Sequence, residues 1–173
     1  MFGHIKRKKG GDYFTQALIQ SGLIEQAHLL MVGDMEPELH SSLSTTPHLN
    51  YTHIPFADRY ELLPYYLACD YVCIPSYYDG MPNVMLESAA LGIPLLASRA
   101  GGMADVLRDG YHGFVFEPGH IESCVKALKR AFGTGPQERE TLANECHRLI
   151  ADHLTADIEL NRYDAMFKEV IIA

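Results

Sequence analysis

The residues best suited to chemistry lie in one segment, 75–87, whose sequence is PSYYDGMPNVMLE. A short apolar run ends at Pro75, a loop turns through Asp79 and Gly80, and a helix-like pattern follows. Proline suits the first helical position because its fixed φ matches a helix and its missing N–H costs nothing there, so Pro82 predicts the helix start. The segment therefore predicts a strand, a loop and a helix N-terminus in succession.

The start of this helix is a candidate anion site. Free backbone N–H groups near residues 81–85 are predicted to carry partial positive charge, and phosphate is the common ligand of such groups. The candidate binding residues are Gly80, Met81, Pro82, Asn83 and Val84.

Two carboxylates lie on either side of this anion site. Helical side chains lean toward the helix N-terminus, so Glu87, just over a turn into the helix, can reach back toward a bound ligand. Because a carboxylate repels phosphate, Glu87 is predicted to accept hydrogen bonds from hydroxyl groups such as a ribose diol, and Asp79 from a second polyol. The alternative is that Asp79 is a turn residue and Glu87 a solvent-facing helix position.

Two other glycine-containing segments are candidates for contact with the same ligand. Gly3 and Lys9 flank a basic stretch after the first apolar run, where a cation can clamp a diphosphate. Gly101 and Gly102 follow a later run and allow the backbone to approach a neighbour or a ligand closely. The alternatives are a solvated basic loop for the first segment and an ordinary turn for the second.

The elements that must position these residues alternate between short apolar runs and amphipathic stretches. The runs predict strands at 1–5, 28–32, 50–54, 70–75, 94–98 and 113–116. The amphipathic stretches predict helices at 11–21, 37–43, 59–68, 82–91, 102–107 and 121–132, followed by C-terminal helices at 137–153 and 157–172. This order predicts an α/β, Rossmann-like fold with a parallel sheet of about six strands, helices on both faces, and ligands at the carboxyl ends of the strands.

Composition restricts the class of protein. The 173 residues are 47% hydrophobic and 21% charged, which is typical of one globular domain. The net charge of −8 opposes wholesale binding to nucleic acid or to an anionic membrane, so any phosphate must be held locally. No apolar stretch approaches the roughly 20 residues of a membrane-spanning helix.

Cysteine and histidine spacing does not indicate a metal site. The four cysteines include no CxxC pair, so they are predicted to be buried, inert thiols of a reduced, cytoplasmic protein. The nine histidines show no HxH or HxxxH pairing within one predicted element, so no metal is expected.

Taken together, these residues resemble the nucleotide-binding half of glycosyltransferase family 4, the retaining sugar-nucleotide transferases of the two-domain GT-B architecture. That family's Lys-Gly segment and its Pro-Ser-x-x-Glu-Gly motif match Lys9-Gly10 and residues 75–80, and its second Glu, eight positions on, matches Glu87. The later Gly-x-Pro, Gly-Gly and Gly-x-Leu-Val segments match residues 92–98, 101–102 and 113–116. The match runs in order through almost the whole chain.

The resemblance implies roles for individual residues. Lys9, with His4 where the family usually has Arg, would neutralise the leaving diphosphate. Asp79 would hold the transferred sugar and Glu87 the ribose, so Lys9, Asp79 and Glu87 are the expected catalytic residues. Two departures matter here: Asp79 is one methylene shorter than the family's Glu, and His4 is charged only part of the time near neutral pH.

The resemblance also implies partners. A hexose would be transferred with retention from a UDP or GDP sugar, without a metal, and the base would lie near Ile54 and Pro55. Residues 1–173 would form the donor-binding domain, the C-terminal half of a GT-B fold. The acceptor domain, for a glycan, a lipid or a small molecule, and any membrane association would lie in an absent N-terminal half. The alternatives are a non-catalytic nucleotide-sugar binding module or a sugar-nucleotide epimerase of the same architecture.

The last predicted helix carries an apolar stripe. Leu160, Tyr163, Phe167 and Val170 lie at helical spacing and need a partner. The stripe is expected either to remain uncovered, facing the acceptor domain, or to pack on its own sheet.

Overall fold

The computed structural model, which describes the backbone of residues 1–172 and the side chains of residues 1–168, alternates short strands with helices. The strands are β1 (Leu29–Val32), β2 (Tyr51–Ile54), β3 (Val72–Ile74), β4 (Leu95–Ser98) and β5 (Gly113–Phe116). The helices are α1 (Gly11–Ser21), α2 (Pro37–Ser44), α3 (Leu62–Leu67), α4 (Asn83–Ala90), α5 (Met103–Val106), α6 (Ile121–Gly133), α7 (Pro136–His153) and α8 (Ala156–Ile172). A 3-10 turn at Arg7–Lys9 precedes α1.

The strands form two parallel sheets instead of one sheet of about six strands. β1 pairs with β2, and β4 lies between β3 and β5. The first predicted strand, residues 1–5, forms only isolated parallel bridges, from Phe2 and Ile5. Gly3 interrupts its extended backbone, since its φ of 88° lies in the left-handed region. The predicted strand count is therefore wrong, whereas the predicted parallel pairing is confirmed.

Apolar cores lie on both faces of the three-stranded sheet. Along β4, Leu96 belongs to a core that includes residues of α1 and α6. Its neighbours Leu95 and Ala97 belong to a second core, which includes residues of α4 and α7. Successive side chains of a strand point to opposite faces, so helices cover both faces of this sheet, as predicted.

The N-terminus of α4 differs from the prediction by one position. Pro82 has ψ of 139° and caps the helix from extended backbone, and Asn83 is the first helical residue. The prediction of Pro82 as the first helical residue is therefore wrong, because its ring ends the loop instead of opening the first turn.

The apolar stripe of α8 is uncovered. Leu160, Tyr163 and Phe167 expose 64%, 49% and 56% of their surface. The side chain of Val170 lies outside the described residues. Of the two expectations for this stripe, the uncovered one is confirmed for the three described side chains. No helix in the described part of the chain is long and apolar enough to span a membrane.

Candidate functional site

Lys9 and Asp79 form an ion pair at the carboxyl edge of the strands. Lys9 Nζ lies 2.5 Å from Asp79 Oδ2, and the two side chains are 33% and 15% exposed. Ser76 Oγ donates to the same oxygen over 3.1 Å, and the Gly80 N–H donates to Asp79 Oδ1 over 3.1 Å. Three donors therefore hold the Asp79 carboxylate. The direct pair and the part played by Ser76 were not predicted from the sequence.

The turn that carries Lys9 packs directly against the end of β3. The Lys8 carbonyl accepts a hydrogen bond of 3.1 Å from the Tyr77 N–H. Gly10 has φ of 74°, and a Cβ at this position would lie 1.8 Å from the Pro75 carbonyl oxygen. Only glycine allows this approach, so Gly10 brings Lys9 within reach of the loop that follows β3.

The Gly101–Gly102 turn packs against the loop of Asp79. Gly101 has φ of 50°, and a Cβ there would lie 1.7 Å from the Asp79 carbonyl oxygen. A Cβ on Gly102 would lie 3.1 Å from the Gly80 carbonyl oxygen. The predicted close approach of this glycine pair to a neighbour is confirmed, and the neighbour is the backbone of the site itself.

Gly101→Ala is expected to displace the Asp79 loop and to destabilise the fold by more than about 1 kcal/mol, because backbone must move to make room for the methyl group. The measurement is thermal denaturation. Gly110→Ala is the matched control, since Gly110 has φ of 77° and its added Cβ would meet only the flexible Arg130 guanidinium at 3.4 Å. Equal melting temperatures for the two variants would contradict a tight contact between the loops.

A cleft beside the start of α4 joins several predicted residues. The cleft is lined by His4, Lys9, Asp79, Pro82 and Val84, among others. The N–H groups of Asn83 and Val84 open α4 and have no acceptor within the described part of the chain. A cation, a carboxylate and helix-terminal donors therefore meet here, which is the chemistry that a phosphate-containing polyol needs.

Two other basic residues of the first loop are more exposed than Lys9. The guanidinium of Arg7 lies 3.6 Å from Asp12, with 85% of its side chain exposed. His4 lines the cleft but is 77% exposed, and its Nδ1 lies 3.8 Å from Asp34. Of the two basic side chains that line the cleft, Lys9 is therefore the shielded one.

Glu87 lies in a separate groove between α3 and α4. It is exposed, and its Oε2 accepts a hydrogen bond of 2.7 Å from the Tyr66 hydroxyl. The groove is also lined by Arg59, Leu62, Leu63, Ala90 and Leu91. Val84 lines the cleft, and Glu87 lies three residues further along α4. Residues three apart share one face of a helix, so the cleft and the groove both adjoin this face of α4.

The remaining predicted site residues do not line the cleft or the groove. Ile54 ends β2, and its carbonyl accepts a hydrogen bond of 2.8 Å from the Gly33 N–H. Pro55 is exposed beyond it. Gly3 underlies the same corner, since a Cβ on Gly33 would lie 2.1 Å from the Gly3 carbonyl oxygen. Gly80 and Met81 are exposed in the loop before α4, and Asn83, exposed at the first position of α4, does not line the cleft either.

The thiols and metal-ligating residues add no further chemistry to the site. Burial raises the pKa of Cys73, which lines the cleft, to about 11 and that of Cys124 and Cys146 to about 12, so these thiols stay protonated near neutral pH. Cys124 and Cys146 are buried as predicted, whereas Cys69 and Cys73 are only half-buried. Among the described residues, no group of three or more His, Cys, Asp or Glu side chains could hold a metal ion.

Sequence comparisons match the chain along most of its length. A family model described as "Glycosyl transferases group 1" matches residues 1–134. The Escherichia coli UDP-Gal:alpha-D-GlcNAc-diphosphoundecaprenol alpha-1,3-galactosyltransferase is 23% identical over 177 residues, which cover 99% of this chain and 45% of that relative. The chain therefore spans less than half the length of this curated relative.

Two solved structures share the fold. Alr3699/HepE from Anabaena, in complex with UDP and glucose, matches with a TM-score of 0.80 and 20% identity over 96% of this chain and 48% of that chain. The C-terminal domain of LpcC, a glycosyl transferase group 1 family protein from Francisella tularensis, matches with a TM-score of 0.74 and 21% identity over 90% of this chain and 86% of that domain. These likenesses confirm the α/β, Rossmann-like fold.

Proposed function

Because this chain belongs to the glycosyl transferases group 1 family, we propose that residues 1–173 are the donor-binding domain of a retaining glycosyltransferase that uses a nucleoside-diphosphate sugar. The observation that carries this proposal is the Lys9–Asp79 pair beside the open amides of α4. Parallel α/β sheets bind ligands at this edge. The family match and the activity named for the Escherichia coli relative support a transferase over a non-catalytic binding module or an epimerase.

The charged and donor groups beside the cleft are of the kind that stabilises a leaving diphosphate. As the bond between the anomeric carbon and the phosphate oxygen breaks, negative charge grows on that oxygen. Lys9 Nζ and the amides of Asn83 and Val84 are donors that act more strongly on this developing charge than on the bound donor sugar, which lowers the barrier. His4, at the rim, adds positive charge when it is protonated.

Asp79 has capacity for one sugar hydroxyl. A carboxylate offers about four acceptor sites, and Lys9, Ser76 and Gly80 occupy three of them. The transferred hexose would donate a hydroxyl to the fourth. Because Asp is one methylene shorter than Glu, the carboxylate stays close to the backbone, where Ser76 and Gly80 fix its orientation.

The nucleoside would extend along α4 from the cleft to the groove. Glu87 would accept the ribose hydroxyls, and Gly80 and Met81 would flank the sugar side. The base would lie toward Ile54 and Pro55 at the end of β2. The UDP-galactose named for the Escherichia coli relative and the UDP bound by Alr3699/HepE support uracil as the base.

The acceptor would bind to a second domain. We place a glycan or lipid acceptor on an N-terminal half of the enzyme, which meets this chain across the carboxyl edge of its strands. The uncovered α8 residues Leu160, Tyr163 and Phe167 offer an apolar surface for that half.

The proposal predicts that UDP or GDP raises the melting temperature of the chain. At a ligand concentration of about 100 times Kd, binding stabilises the fold by about 2.7 kcal/mol, which raises Tm by roughly 5–10 °C in a domain of this size. Differential scanning fluorimetry with UDP, GDP and pyrophosphate makes the measurement, and uridine alone is the control. The absence of a shift with every diphosphate at millimolar concentration would contradict the proposed donor site.

A further inference from the structure

A buried phenol holds one oxygen of the exposed Glu87 carboxylate. Tyr66, on α3, is 2% exposed, and its hydroxyl donates to Glu87 Oε2 on α4 over 2.7 Å. Glu87 Oε1 has no partner among the described side chains. The contact therefore restrains half of a solvent-facing carboxylate and leaves the other half open to a ligand.

The phenol is itself held rigidly. Its ring stacks on Phe2, with ring centroids 4.0 Å apart and an interplanar angle of 13°. Tyr66 also belongs to the core that contains Met85 and Ala89 of α4. Phe2 lies two residues before His4 and itself lines the cleft, so one packing unit connects the groove of Glu87 with the cleft of Lys9.

The hydrogen bond has a fixed direction. Burial raises the pKa of Tyr66 above its usual value of 10, and the hydrogen bond to Glu87 and the charge of that carboxylate raise the pKa further. The phenol therefore stays protonated through the physiological pH range and donates, while Glu87 accepts.

We propose that Tyr66 is a positioning residue for nucleoside recognition, which fixes the Glu87 side chain so that Oε1 accepts a ribose hydroxyl. This inference rests on the proposed function. A free glutamate side chain would lose its rotamer freedom when ribose binds, and that loss weakens binding. Tyr66 orders the carboxylate beforehand, without touching the ligand.

Tyr66→Phe tests this role because it keeps the ring and its stacking on Phe2 and removes only the hydroxyl. Calorimetry is expected to show about a five- to tenfold weaker affinity for UDP or GDP, whichever the chain binds more tightly, and an unchanged affinity for pyrophosphate. Tyr65→Phe, the same change one residue away on α3, is the matched control and is expected to leave both affinities unchanged. If the phenol has only a structural role, Tyr66→Phe would lower Tm but would not change the affinity for the nucleoside diphosphate more than the affinity for pyrophosphate.

Glu87→Gln distinguishes a failure of this inference from a failure of the proposed ribose contact of Glu87. Glu87→Gln alone is expected to lower the affinity for the nucleoside diphosphate and to leave the affinity for pyrophosphate unchanged. Adding Tyr66→Phe to Glu87→Gln is expected to cost less than about a further twofold, because both changes act on one contact. If Glu87→Gln lowers the affinity for both ligands equally, Glu87 does not bind the ribose, and both that proposed role and the inference about Tyr66 are wrong. If Glu87→Gln behaves as expected while Tyr66→Phe binds both ligands normally, only the inference is overturned.

Discussion

Replacing Lys9 with alanine is expected to weaken the binding of UDP by about 5- to 150-fold, the equivalent of about 1–3 kcal/mol for a charge-assisted contact. The variant removes the shielded cation of the cleft. It also leaves the Asp79 carboxylate, which is 15% exposed, unpaired beside an incoming diphosphate. Both effects act on the diphosphate, so pyrophosphate is expected to lose affinity by a similar factor. Calorimetry with the two ligands measures this.

A second variant separates the two causes. In Lys9→Ala combined with Asp79→Asn, the repulsion disappears while the cation stays absent, so part of the lost affinity is expected to return. Lys8→Ala is the matched control, because Lys8 is the adjacent lysine of the same turn and is exposed. A loss in Lys8→Ala as large as that in Lys9→Ala would mean that the general charge of the loop binds the diphosphate, and not the residue paired with Asp79.

Local patterns in the sequence predict the position of the site because its backbone is set by short-range rules. The loop between β3 and α4, with Asp79 in a turn and a helix starting beside Pro82, follows from preferences that each residue carries alone, although these preferences misplace the helix start by one residue. The glycine pair at positions 101 and 102 likewise indicates a close approach, although its sequence does not name the neighbour. That neighbour, the Asp79 carbonyl, is brought to the glycine pair by the pairing of β3 with β4.

Long-range contacts account for what the sequence could not predict. In the sequence, nothing distinguishes Tyr66 from the other nine tyrosines, because its hydrogen bond to Glu87 depends on how α3 packs beside α4. The contact of Ser76 with Asp79 is local, three residues along the chain, but a turn pattern does not specify which hydroxyl faces the carboxylate. The apolar run at 1–5 predicts a strand from its composition, whereas the φ of Gly3, which packs at the Gly33 corner, reduces the strand to isolated bridges.

The chain alone is expected to transfer no sugar above background, and addition of the acceptor-binding half in trans is expected to raise transfer by more than about 100-fold. In the proposed function, the described residues supply groups for the diphosphate, the hexose and the ribose. Holding an acceptor hydroxyl against the anomeric carbon would require a second surface, and a misplacement of about 1 Å can cost about 100-fold in rate. The assay measures product formation from UDP and GDP sugars, with hydrolysis of the donor followed separately.

Two variants test whether the added half raises transfer through the proposed donor site and through α8. Lys9→Ala in the stimulated mixture is expected to remove transfer, since the leaving diphosphate loses its cation. Phe167→Ser is expected to weaken association with the added half, because it interrupts an apolar stripe that is 56% exposed at this residue, and Phe167 does not line the cleft. Robust transfer by the 173 residues without a partner would mean that they contain a complete active site, and division of the enzyme into donor and acceptor halves would then be wrong.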